Sequence, residues 1–81
     1  MQHHSIVVRT QWDPEAQVWI ATSDDIPGLI TEAASPDELA AKLQVMVPEL
    51  TEANDDLRGR FALEVPVHIM SEQLIKVRVP A

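Results

Sequence analysis

The chain contains no cysteine, only two glycines, three aromatic residues and six basic side chains against thirteen acidic ones. Without cysteine there is neither a disulfide nor a thiolate metal site. With Gly28 and Gly59 as the only glycines, no glycine-rich phosphate loop can form. No apolar run approaches the roughly 18 residues that cross a bilayer. The opening MQHHSIVVRT lacks the basic-then-apolar order of a signal peptide, so the expected location is the cytoplasm, with no membrane partner. A net charge of −7 argues against direct nucleic-acid binding, which needs a basic patch, and suits a partner that is itself basic.

What is present is a short, apolar chain. Its 81 residues are 46% hydrophobic, too apolar for a disordered segment, and they make one domain, 1–81. Apolar burial for this size contributes about 120 kcal/mol, and chain ordering at ~1.5 kcal/mol per residue opposes it by about the same. A lone copy is therefore marginal, and with disulfides excluded the expected remedy is a homodimer or higher homo-oligomer. The charge is also uneven. Residues 1–57 carry eleven acids against Arg9 and Lys42, whereas 58–81 carry Arg58, Arg60, Lys76 and Arg78 against Glu64 and Glu72. The first part is either a set of solvated faces or an acidic docking surface.

Alternation with β-branched enrichment predicts a first strand over 5–12, with Ile6, Val8, Thr10 and Trp12 on one face. Asp13-Pro14 suits a type I turn, because proline presets φ at its second position. Residues 17–23 form the second strand of a hairpin. Val18-Trp19-Ile20-Ala21 is apolar on both faces, unlike a strand with one solvated side. Either the C-terminal segment or another copy must cover the second face. Pro27-Gly28 signals a type II turn, followed by a third strand over 29–33. Ser35 is an N-cap, with Pro36 at N1 and Glu38 at N3. Leu39, Leu43, Met46 and Leu50 then make one helical stripe. Pro48 should kink the helix or break it. Phe61, Leu63, Val65, Val67 and Ile69 alternate as a fourth strand, with Pro66 marking an edge or a bulge. Residues 74–79 resume the alternation and either fold back as a hairpin or extend into a neighbour. The expected fold is α+β in the order β-β-β-α-β, with one extra strand allowed at the end. It is a small antiparallel-type sheet with one helix packed on it.

No catalytic constellation assembles. The serines lack a nucleophile elbow with His and acid partners, and Ser35 is accounted for as a cap. His3 and His4 read as solvated, His68 as a surface residue, and Asp24-Asp25 as a polar turn. No catalytic residue, metal ligand or cofactor is therefore expected. Trp12 and Trp19 read as core anchors, the rival reading being an interface hot spot.

Trp12-Asp13-Pro14-Glu15-Ala16, Val18-Trp19-Ile20-Ala21, Asp24-Asp25-Ile26-Pro27-Gly28-Leu29, Thr31-Glu32-Ala33 and the run Leu43 to Leu50 together resemble the HicB-like antitoxin domain. The likeness is greatest to a short stand-alone subfamily of unknown function. The resemblance covers about residues 5–70 and implies a partial RNase H-like fold without the nuclease carboxylates. It further implies a non-catalytic protein-interaction role, as the antitoxin of a type II toxin–antitoxin pair that covers a small basic RNA-cleaving toxin. Residues Trp19, Asp24, Asp25, Ile26 and Pro27 are the protein-binding candidates. The alternative is an orphan oligomeric domain that binds another protein or a small ligand without a toxin. Full antitoxins of this kind add a DNA-binding helix-turn-helix or ribbon-helix-helix, for which residues 71–81 are too few, so operator binding is not expected.

Overall fold

A computed structural model describes residues 5–59 and 64–80. Strands β1 (Ile6–Asp13), β2 (Val18–Thr22) and β3 (Ile30–Ala33) are followed by helix α1 (Pro36–Ala53) and strand β4 (Val67–Glu72). The order is the expected β-β-β-α-β, and the sheet runs β3-β2-β1-β4. The first three strands form an antiparallel meander. β4 instead lies parallel to β1, so the sheet is mixed rather than wholly antiparallel. The reason is the connection: a helix must intervene between β3 and β4, which carries the chain across the sheet to its far edge in β1's own direction.

The turns are built as their residues demand. Leu29 N–H donates to the Ile26 carbonyl at 3.2 Å, with Pro27 second and Gly28 third at φ +86°. This is the type II turn, whose third position a side chain would strain. The β1–β2 connection is longer than a simple type I turn. Gln17 N–H donates to the Asp13 carbonyl, and Gln17 takes φ +59° to close the loop. The Asp13 carboxylate accepts from Glu15 and Ala16 N–H at 3.0 and 3.3 Å.

Helix α1 opens as expected, with Ser35 Oγ accepting from Glu38 N–H at 3.2 Å and Pro36 in the first turn. It runs unbroken through Pro48 to Ala53, so the alternative of a break with a second short helix does not occur. Proline leaves the Gln44 carbonyl without its helical donor, but Gln44 and Pro48 are both exposed, where water can replace the lost bond. The core-facing stripe is Leu39, Leu43 and Val47, with Met46 and Leu50 half-buried beside it. Val47, absent from the expected stripe, lies one turn beyond Leu43 on the same face. Asn54 ends the helix: its N–H donates to the Leu50 carbonyl, and its side chain accepts from Asp56 N–H.

The core lies between α1 and one face of the sheet. It comprises Ile6, Val8, Ala21, Ile26, Leu29, Ala33 and Leu57 together with the helix stripe. Thr10 is the buried polar residue among them, and its hydroxyl bonds the Met70 carbonyl and Ser71 Oγ at 3.1 and 3.0 Å. These bonds tie β1 to β4 and fix their register. Pro66 precedes β4, its carbonyl accepting from Ile6 N–H at 2.9 Å, and among the described residues β4 is an edge strand. Phe61 and Leu63, expected in that strand, lie outside the described residues, as do His3 and His4. Residues 73–80 continue beyond β4 without strand pairing and are exposed along their length.

Candidate interaction surface

The five candidate residues are placed very differently. Ile26 is fully buried and belongs to the core. Trp19 is half-buried in β2, paired with Ala33 on one side and Trp12 on the other. Its ring lies 5.4 Å from that of Trp12 at a 55° tilt, within the preferred range for aromatic pairs. Both tryptophans share the face that carries Thr10 and Ala21; Trp19 packs against the core, and Trp12 packs against Trp19.

Asp25 extends the β1–β2 ladder past its last strand residue. Val7 N–H donates to Asp25 Oδ2 at 2.8 Å, while Ser23 Oγ donates to the Val7 carbonyl at 2.6 Å. Asp25 N–H donates in turn to Ser23 Oγ. Two side chains thus satisfy a backbone pair that β2 is too short to reach. Asp24 and Pro27 are exposed and are the members of the set that present themselves freely at the surface.

The wider surface is acidic. Of the eleven acids in residues 1–57, all but Asp13 are exposed. Among the described residues the ion pair recorded is Arg58–Asp55 at 2.7 Å. The C-terminal end of α1 carries Glu49 and Glu52, with Asp55 and Asp56 just beyond, and its last turn has no basic residue. The helix dipole favours cations at that end, so these acids sit where they cost stability. Arg58 offsets part of this, its Nε donating to the Glu52 carbonyl and its Nη2 to Asp55. This end of the helix was not singled out in the sequence. The signal was there in the run Glu49 to Asp56, but only the helix boundary shows that it opposes the dipole.

Two shallow depressions flank β4. One, of about 370 Å³, lies on the sheet face away from α1 and includes Arg9, Gln11, Ile20, Met70 and Glu72. The other, of about 580 Å³, lies between α1 and β4 and is lined by Leu43, Val47, Val65, Val67 and Ile69 among others. It exists because α1 packs over β2 and β3, leaving the β4 side of the same face uncovered among the described residues. Among the described residues there is no group of three or more His, Cys, Asp or Glu that could hold a metal, and His68 is exposed. No helix among them is long and apolar enough to cross a membrane.

Among the described residues these features define a one-helix α+β domain with an acidic surface and an uncovered apolar edge. The family model of a domain of unknown function, DUF1902, matches residues 5–81, and the chain belongs to that family. A crystal structure of the hypothetical protein TTHA1013 from the extremely thermophilic bacterium Thermus thermophilus is 49% identical. The match covers 94% of this chain and 100% of that one, with a TM-score of 0.68. No curated relative matches the chain significantly.

Proposed function

We propose that the protein is a non-catalytic, HicB-like protein-interaction domain, assembled at least as a homodimer, that acts as the antitoxin of a small basic RNA-cleaving toxin. The observation that carries this reading is the acidic end of α1. Glu49, Glu52, Asp55 and Asp56 are held exposed against the helix dipole, an arrangement that costs the free protein stability and that a cationic partner would offset. Asp24 and Pro27 add a second exposed element on the turn after β2. The partial RNase H-like architecture implied by the HicB resemblance supports the same reading.

This reading predicts a small basic protein encoded in an adjacent reading frame, and the test is to co-express the chain with it. The expected result is relief of growth arrest and recovery of a complex whose association rate falls steeply between about 50 and 500 mM salt, as for electrostatically steered pairs. Toxicity without rescue, with no complex formed, would overturn the reading.

A further inference from the structure

The segment after β4 has an apolar phase and pairs with no strand among the described residues. Leu74, Ile75, Val77 and Val79 are 85%, 68%, 71% and 77% exposed. The molecule exposes 6476 Å², against roughly 4,900 Å² for a compact chain of this mass. The excess is about twice the ~800 Å² that each partner contributes to a standard protein–protein interface.

The geometry of β4 indicates what would cover it. Ile6 N–H donates to the Pro66 carbonyl, and Ile6 lies opposite Val67. In a parallel ladder this turns the backbone groups of even-numbered β4 residues toward β1. Those of Val67, Ile69 and Ser71 point outward, where among the described residues no strand meets them. An edge of this kind is a template for another chain. If the extended backbone continues in phase, Gln73, Ile75, Val77 and Val79 present outward groups too. Their side chains then share the α1-side face with Val67 and Ile69, the face of the uncovered groove. Prolines bracket the stretch at Pro66 and Pro80 and are absent from 67 to 79. Gln73 stands at its midpoint.

We infer that two copies of this chain pair antiparallel through residues 67–79 about a two-fold axis at Gln73, each copy's Leu74–Val79 segment sealing the β4 edge of the other. This rests on the homodimer of the proposed function and names its interface. In this register Val67 faces the partner's Val79, Ile69 the partner's Val77, Ser71 the partner's Ile75, and Gln73 its own symmetry mate. Every directly opposed pair uses outward backbone groups on both strands, as an antiparallel hydrogen-bonded pair requires. The apolar residues Ile75, Val77 and Val79 add an outer wall to the α1–β4 groove. Lys76 and Arg78 go to the opposite face, on the same side as Glu72 of the other copy. Pro66 and the partner's Pro80 fall opposite one another, where neither nitrogen faces the other strand, so neither interrupts the ladder.

Light scattering on the full chain should give twice the 9.0 kDa chain mass at micromolar concentration. Proline substitutions then read the phase. Val77→Pro removes an N–H that faces the partner and should weaken the dimer at least about tenfold, whereas Lys76→Pro removes one that faces away and should change it less than about threefold. The helical circular-dichroism signal of both variants should match the parent, because α1 (Pro36–Ala53) lies outside the substituted segment. Gln73→Cys, the sole thiol in the chain, should oxidise to a covalent dimer, since hydrogen-bonded antiparallel pairs hold Cα atoms about 5.5 Å apart, within disulfide reach. A monomeric parent chain would overturn both the dimer and this interface. A dimeric parent that tolerates Val77→Pro and does not cross-link at 73 would overturn the interface alone.

Discussion

Replacing Ile26 by alanine separates a core role from a surface role at a turn otherwise made of exposed residues. Ile26 is fully buried and packs with Leu29, Leu57 and the α1 stripe in one cluster. The substitution deletes three side-chain carbons. Their transfer alone is worth about 2.4 kcal/mol at ~0.8 per methylene, and the residual cavity brings the expected loss to about 3 kcal/mol, within the 2–5 range of such truncations. Chains of this length unfold with roughly 4–12 kcal/mol, so the variant should remain folded but weakened. With a urea slope of about 1 kcal/mol/M, the unfolding midpoint should fall by about 3 M, measured at one fixed protein concentration because self-association shifts apparent stability. Pro27→Ala, one residue away and exposed, should move the midpoint by less than about 1 M. A shift below about 0.5 M for Ile26→Ala would refute the packing argument and return this residue to the surface.

Other substitutions probe the remaining joints of the fold. Gly28→Ala should cost about 1–2 kcal/mol from its φ of +86° alone, because the added Cβ would meet Leu50 Cδ2 at an ordinary 3.8 Å; thermal unfolding checks it, and a neutral result would refute the strain argument. Ser35→Ala removes the side-chain acceptor for Glu38 N–H and should lose about 1 kcal/mol in urea unfolding. Thr10→Val should cost about 1 kcal/mol by removing the hydroxyl that bonds Met70 and Ser71. Hydrogen exchange should then quicken in β4 more than in β2, and equal quickening would show that Thr10 does not hold β4. Glu49→Lys should stabilise the chain by about 0.3–1 kcal/mol through the helix dipole while weakening the proposed complex; a destabilised variant would remove the basis for that reading.

Local chemistry made much of this fold legible from sequence. The period-two runs marked β1, β2 and β3, Pro27-Gly28 set the type II turn, and Ser35-Pro36-Asp37-Glu38 set the start of α1, each through constraints that act within a few residues. The family likeness rested on the same local pieces. Tertiary placement decided what those rules leave open. Pro48 is tolerated because Gln44 and Pro48 both face solvent, a matter of where the helix lies and not of its own sequence. β4 is parallel to β1 because the crossover helix returns the chain to the far edge of the sheet. Asp25, which sequence alone marks as an exposed turn acid, completes a ladder because β2 stops one step short of Val7. Ile26, adjacent to it, is drawn wholly inside. Sequence determined which residues alternate, cap and turn. Only the assembled sheet decided which faces are covered, and among the described residues it leaves the β4 edge and the acidic end of α1 exposed, because burial is a property of what packs on a segment and not of the segment itself.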